Sequence, residues 1–245
     1  MRPLPSSRLG LSGAQIPPAG LASLGALSAL LIGWLGPLAY PLRLLTTLVH
    51  ELSHGLAAIV TGGAFLRFVV FPDGSGVAAT AGGLRLLIIP AGYVGVAVAG
   101  AALIALGRSP RTSRAALAAV GAALVLLTLR YALPTLLSAQ ILGGLLTLAA
   151  GVGMGALLLA AAWRAGSALA LWLLNLLAFH LGLSAFGDLW MLLGVTAAGD
   201  SRSDAAAMAA LTWIPSPFWA AVWALISAAL LGAALWWTWL RRPTA

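Results

Sequence analysis

Hydrophobic residues in this chain come in long runs, and the polar positions between them mark the joints. Apolar stretches cover about 20–41, 43–62, 84–106, 114–131, 136–163, 166–194 and 217–240. Most of them reach the roughly 20 residues that an α-helix needs to cross a hydrocarbon layer. Gly62-Gly63 gives the second run a stop signal, and the linker from Arg108 to Arg114 and the polar stretch from Gly199 to Asp204 read as aqueous loops. One stretch breaks the helical pattern. In residues 65–81, FLRFVVFPDGSGVAATA, Phe65, Phe68, Val69, Val70 and Phe71 precede a Pro72-Asp73-Gly74 turn and a second Val/Ala/Thr run. Strand formers on both sides of a turn predict a short β-hairpin at or within the membrane interface. The expected fold is an all-α polytopic membrane protein with about 6–7 transmembrane helices and a short β-hairpin near residues 65–81. Residues 1–19 read as a disordered N-terminal tail and 20–245 as a single integral-membrane domain; the first apolar run lacks a small-residue cleavage site and reads as an uncleaved helix.

Composition sharpens this picture. Of 245 residues, 62% are hydrophobic and 7% charged, against roughly 25% charged in soluble domains, which excludes a water-exposed globular surface. The lipid bilayer is the expected surrounding. The net charge of +8 comes from 13 arginines and no lysine. The arginines lie scattered near segment ends instead of forming a stripe, so they read as membrane-flanking anchors and no nucleic-acid partner is expected. Trp236, Trp237 and Trp239 directly before Arg241 and Arg242 suit an interfacial belt. A seven-crossing count puts Arg108, Arg111 and Arg114 on the same side as Arg241 and Arg242, which is expected to be the cytoplasm. With no cysteine, disulfides, thiolate catalysis and cysteine-based zinc or iron–sulfur sites are excluded. The GxxxG spacing from Gly151 to Gly155 predicts close helix packing.

The strongest chemical signal is His50-Glu51-Leu52-Ser53-His54. On a helix, positions i and i+4 share a face, so both imidazoles can reach one metal ion while Glu51 leans over its open position to take a proton from water. In a chain of this composition the pattern arises by chance roughly once in 7,000 cases. It also uses the only glutamate and two of the three histidines, inside an apolar helix where ionisable groups are costly and functional by default. A third ligand is required. Glutamate is excluded because there is no second one, and the extended HExxHxxGxxH pattern fails at Ala57 and Val60. That leaves an aspartate or His180. Asp73 lies in the turn, where its ordinary role is turn geometry; Asp200 and Asp204 lie in the polar loop, where solvation accounts for them. Asp188, inside an apolar helical run, needs a partner and is the favoured ligand. His180 lies two turns earlier, ~12 Å away along the axis, and reads as a satisfied or supporting histidine, as Asn175 reads as an interhelical hydrogen bond. The depths conflict: the histidines fall ~10–16 Å into their helix and Asp188 ~33 Å into its own, so either one segment does not cross fully or the later helix breaks near Gly182.

An early HExxH helix with a late aspartate resembles the site-2 protease family of intramembrane zinc metalloproteases, and more narrowly its compact bacterial branch. The similar stretches are TLVHELSHGLAAIVTGG, FPDGSGVAATAGG with PAGYVGVAVAG, and LSAFGDLW followed by SDAAAMAALTWIP, spread over most of residues 45–215. The resemblance implies a multi-pass protein of a bacterial cell membrane that cleaves membrane-anchored protein substrates. It further implies one Zn2+ per chain on His50, His54 and Asp188, with Glu51 as the base. The aspartate here stands in Gly187-Asp188-Leu189, without the glycine that follows it in other members. The reading from a different class is a non-catalytic membrane scaffold or transporter that keeps a metal-binding pocket.

Overall fold

The computed structural model describes residues 16–197 and 203–241, with side chains for all of these except 186–197. The tail assigned to 1–19 therefore falls mostly outside the described residues, while Pro18 and Ala19 already belong to the first helix. The chain runs through helices α1 (Pro18–Trp34) and α2 (Tyr40–Val60), strands β1 (Ala64–Val70) and β2 (Gly76–Ala81), then α3 (Arg85–Ile88), α4 (Ala91–Leu106), α5 (Pro110–Ala132), α6 (Ile141–Arg164), α7 (Ser167–Ala197), α8 (Asp204–Thr212) and α9 (Ser216–Leu235). Among the described residues, four helical stretches are long and apolar enough to cross a membrane: Pro110–Leu137, Ile141–Arg164, Ser167–Ala185 and Ser216–Leu240. α1 and α4 are apolar but shorter. The polytopic, mostly helical architecture with one small sheet agrees with the expected fold.

Three elements differ from the expected pattern. The run 84–106 is broken at Pro90 into α3 and α4, because proline removes a helix hydrogen bond and crowds the preceding turn. α2 is 21 residues long yet is not among the candidate spans; Arg43, Thr46, Thr47, His50, Glu51, Ser53 and His54 dilute its apolar content. The polar stretch ending at Asp204 leads directly into a helix, α8, that the hydropathy pattern did not separate.

Strand formers flank a tight turn in the hairpin. The Phe71 N–H donates to the Ser75 carbonyl at 2.8 Å and the Gly74 N–H to the Phe71 carbonyl at 2.9 Å, and Gly74 takes the positive φ of 87° that a side chain would disfavour. Asp73 accepts from the Ser75 N–H and hydroxyl at 2.9 and 2.7 Å, so it holds the turn as expected; these bonds keep its carboxyl below the usual carboxylate range. The strands pair antiparallel, Phe65 opposite Thr80 and Val70 opposite Gly76, with an irregularity between Phe65 and Arg67. The outer edge of β1 is closed by side chains: Thr135 donates to the Phe68 carbonyl at 3.1 Å, and the Val70 N–H donates to Thr147 at 2.7 Å.

The main core gathers Leu45 and Leu48 of α2, Phe68 of β1, Leu117 of α5 and Leu174 of α7. A separate cluster of Ile89, Ala205, Met208, Ala220 and Trp223 ties α8 to α9 and to the α3–α4 junction. Large residues such as Leu126 and Leu157 point outward, 66% and 67% exposed, as lipid-facing side chains do. Asn175 donates to the carbonyls of Gly107 and Leu171 at 3.0 and 2.9 Å, an interhelical bond of the expected kind. α5 and α6 approach through glycines: a Cβ on Gly155 would sit 2.7 Å from the Gly121 carbonyl oxygen, and one on Gly121 at 2.7 Å from that of Gly155. Gly153 faces open space. Gly155→Leu is therefore expected to lower stability by about 1–3 kcal/mol through overpacking, with Gly153→Leu near neutral, measured by thermal unfolding in detergent.

Candidate metal centre

α2 carries His50, Glu51 and His54 in its middle turns, and the i to i+4 relation brings the two imidazoles together with Nε2 atoms 3.0 Å apart. The third group comes from elsewhere in the chain. Ser203 caps α8, its hydroxyl accepting from the Ala206 N–H at 3.2 Å, which puts Asp204 in the first turn, where a carboxylate suits the helix dipole. Asp204 Oδ2 lies 3.1 Å from His50 Nε2 and 3.2 Å from His54 Nε2. Burial alone would raise the Asp204 carboxyl, but the two histidines beside it outweigh that and hold the group well below the usual carboxylate range. That direction favours the ionised form, which metal ligation by a carboxylate would need.

These atoms pass a simple test for zinc. Their triangle has edges of 3.0–3.2 Å, and a tetrahedral ion with bonds of ~2.0–2.1 Å puts neighbouring ligand atoms ~3.3 Å apart. The tautomer of His54 also fits. Its Nδ1 lies 2.7 Å from the Ile88 carbonyl oxygen, which can only accept, so Nδ1 carries the proton and the Nε2 lone pair faces the triangle. The set is two histidines and one carboxylate, all oxygen and nitrogen donors.

The triangle opens into a cavity of about 800 Å3 lined by Arg43, Thr47, Glu51, Arg85, Ile88, Tyr93, Ser203 and the turn and strand residues Asp73–Ala78, among others. Glu51 is buried, with the Ala78 N–H of β2 directed at its carboxylate. Two glycines make this packing possible. A Cβ on Gly76 would come within 2.7 Å of the Glu51 carboxylate, and one on Gly92 would overlap both metal-facing imidazoles.

His50, Glu51 and His54 share this cavity, as the motif predicts. Asp188 lies on α7 among the residues whose side chains fall outside the description, and Asp200 lies outside the described residues altogether. Asp204, expected to be a solvated loop residue, instead has only a quarter of its side chain exposed and faces both histidines. Its signal was the Ser203-Asp204 pair ahead of an alanine-rich run, an N-cap pattern. His180 is not in the cluster: its Nε2 lies 3.3 Å from Thr46 and 3.4 Å from Ser184, joining α7 to α2 one turn before His50. Gly76, Gly92 and Tyr93 lie within FPDGSGVAATAGG and PAGYVGVAVAG, but the sequence assigns none of them a place beside the histidines.

An HExxH helix, a carboxylate beside it and several apolar spans fit a membrane metallopeptidase at the level of the family. The chain belongs to the Peptidase M50B-like family, a site-2 protease family, whose model matches residues 23–234. M50 peptidases are typically zinc-dependent. No curated protein and no solved structure matches the chain. Because Gly92 leaves room for the imidazoles, Gly92→Ala is expected to weaken metal binding at least tenfold, in the range seen when supporting groups are disturbed. Metal content after purification, with Gly153→Ala as control, checks this.

Proposed function

We propose that the chain is an intramembrane zinc endopeptidase acting on membrane-anchored protein substrates, with His50, His54 and Asp204 as the metal ligands and Glu51 as the base. The single observation that carries this reading is the triangle of ligand atoms beside the buried Glu51. Zinc bound there would polarise a substrate carbonyl and lower the pKa of a bound water. Glu51, the only glutamate, would accept the water's proton on its carboxylate and deliver it to the leaving amine. The Ala78 N–H steadies that carboxylate. Ile88 holds His54 in the tautomer that leaves Nε2 available, and Asp204 contributes the negative charge that partly neutralises the ion.

Substrate access fits the same arrangement. A peptide bond inside a helix is hidden by its own hydrogen bonds, so a substrate has to be unwound before attack. β2 lines the cavity through Gly76, Val77, Ala78 and Thr80, and among the described residues the sheet has only the two strands. The unpaired side of β2 would receive an extended substrate segment by main-chain pairing.

Two measurements test the assignment. Asp204→Ala is expected to lower zinc content as severely as His50→Ala, while Asp188→Ala keeps it; the reverse outcome would restore Asp188 as the ligand. Glu51→Gln should insert, fold and bind zinc normally yet leave substrate uncleaved, with activity down at least a hundredfold. A Glu51→Gln chain that still cleaved would sink the mechanism. Bound zinc with no cleavage in the wild-type chain against any membrane-anchored substrate of its host would favour a metal-binding scaffold or transporter.

A further inference from the structure

The two histidines are oriented by different means. His54 is fixed by its Nδ1 bond to the Ile88 carbonyl at 2.7 Å. Among the described residues, the hydrogen bonds of His50 all run through Nε2, toward His54 and Asp204, and none holds its Nδ1. Aromatic packing takes that place. The ring of Tyr93 meets the imidazole of His50 at 90° with centroids 4.7 Å apart. Behind it, Trp223 stacks on Tyr93 at 5.8 Å and 21°, and Trp223 is itself only 1% exposed. The Tyr93 ring is thus clamped between a buried indole and the imidazole, directly after the glycine that gives both imidazoles room.

We propose that Tyr93 is a positioning residue for His50, acting through its ring: the aromatic clamp fixes the rotation of the imidazole so that Nε2 stays directed at the metal position. The second side-chain torsion of histidine is intrinsically broad, so an imidazole without a partner on Nδ1 is free to turn unless packing stops it. Edge-to-face aromatic contact supplies a directional stop. The clamp also reaches the third ligand. Trp223 belongs to the cluster that holds Ala205 and Met208 of α8, the helix that carries Asp204, so one aromatic column keeps His50 in register with the carboxylate opposite. The ligand is a divalent zinc-type cation, and the proposal rests on the zinc reading above.

The test is metal affinity of the full chain in detergent, by titrating the metal-free protein with Zn2+ against a competing chelator, together with the visible absorption of the Co2+ form. Tyr93→Phe keeps the ring and is expected to stay within about twofold of wild type. Tyr93→Leu is expected to weaken binding about tenfold or more and to change the Co2+ spectrum. Tyr93→Met, whose flexible chain refills the space without an aromatic edge, is the second variant and should show the same loss. Wild-type affinity and spectrum in a folded Tyr93→Leu or Tyr93→Met chain would overturn the proposal, even if thermal stability fell. So would a Tyr93→Phe chain as weak as Tyr93→Leu, which would assign the effect to the hydroxyl. A wild-type chain that takes up neither Zn2+ nor Co2+ would overturn the zinc reading as well, whereas normal wild-type uptake with unaffected variants would overturn only the role of Tyr93.

Discussion

Three polar atoms within 3.2 Å of one another, Nε2 of His50, Nε2 of His54 and Oδ2 of Asp204, set the terms for the rest of this structure. Two of them share a helix and arrive together at no extra cost once α2 forms. The third comes from 150 residues further along and has to be delivered to the same spot by packing alone. α4 must cross close enough to α2 to wall the cavity while its backbone at Gly92 stays clear of the imidazoles, which is why Gly92 carries no side chain. β2 must come close enough to hold Glu51 without crowding it, which is why Gly76 carries none. Bulk at either position would push the imidazoles or Glu51 away.

α8 shows how apolar contacts place a charged group. A helix of nine residues is too short to be stable alone in water, so its position depends on what it packs against. Ala205 and Met208 bury against Ile89, Ala220 and Trp223, and that cluster aims the N-terminus of α8 at the histidines. The serine cap and the helix dipole then favour an ionised carboxylate in the first turn. The position of Asp204 is thus a consequence of hydrophobic packing one turn away, while its charge state is a consequence of the two imidazoles it meets.

This also explains what could be read from the chain alone. His50, Glu51 and His54 were legible because their relation is local: helix geometry converts a spacing of four into a shared face. The hairpin was legible for the same reason, since Phe68, Val69 and Val70 next to Pro72-Asp73-Gly74 encode strand and turn within a dozen residues. The long apolar runs gave the helices, though Pro90 divides one of them. Asp204 was not legible as a partner of the histidines because its role is tertiary. Judged by neighbours in sequence, a carboxylate after Gly-Asp-Ser-Arg-Ser looks solvated, and one inside an apolar run, such as Asp188, looks in need of a partner. That reasoning weighs burial along the chain, whereas Asp204 is brought against His50 and His54 of α2 by the packing of its own helix.

The two edges of the hairpin carry the last step. Backbone groups away from water must find partners, and β1 meets this demand with β2 on one side and with Thr135 and Thr147 on the other. Those two threonines, on the turn before α6 and on α6 itself, close β1 to any further strand. β2 has β1 on one side and the cavity on the other, and of its cavity-side groups the Ala78 N–H is spent on Glu51. Among the described residues one strand edge thus faces the cavity, beside Glu51 and the triangle of His50, His54 and Asp204. A hairpin closed on both edges would be a better structural element in a lipid setting. Closing only the far edge suits the proposed pairing of a substrate segment with the near one, and α2, which lines the same cavity, carries the polar residues such a segment would meet.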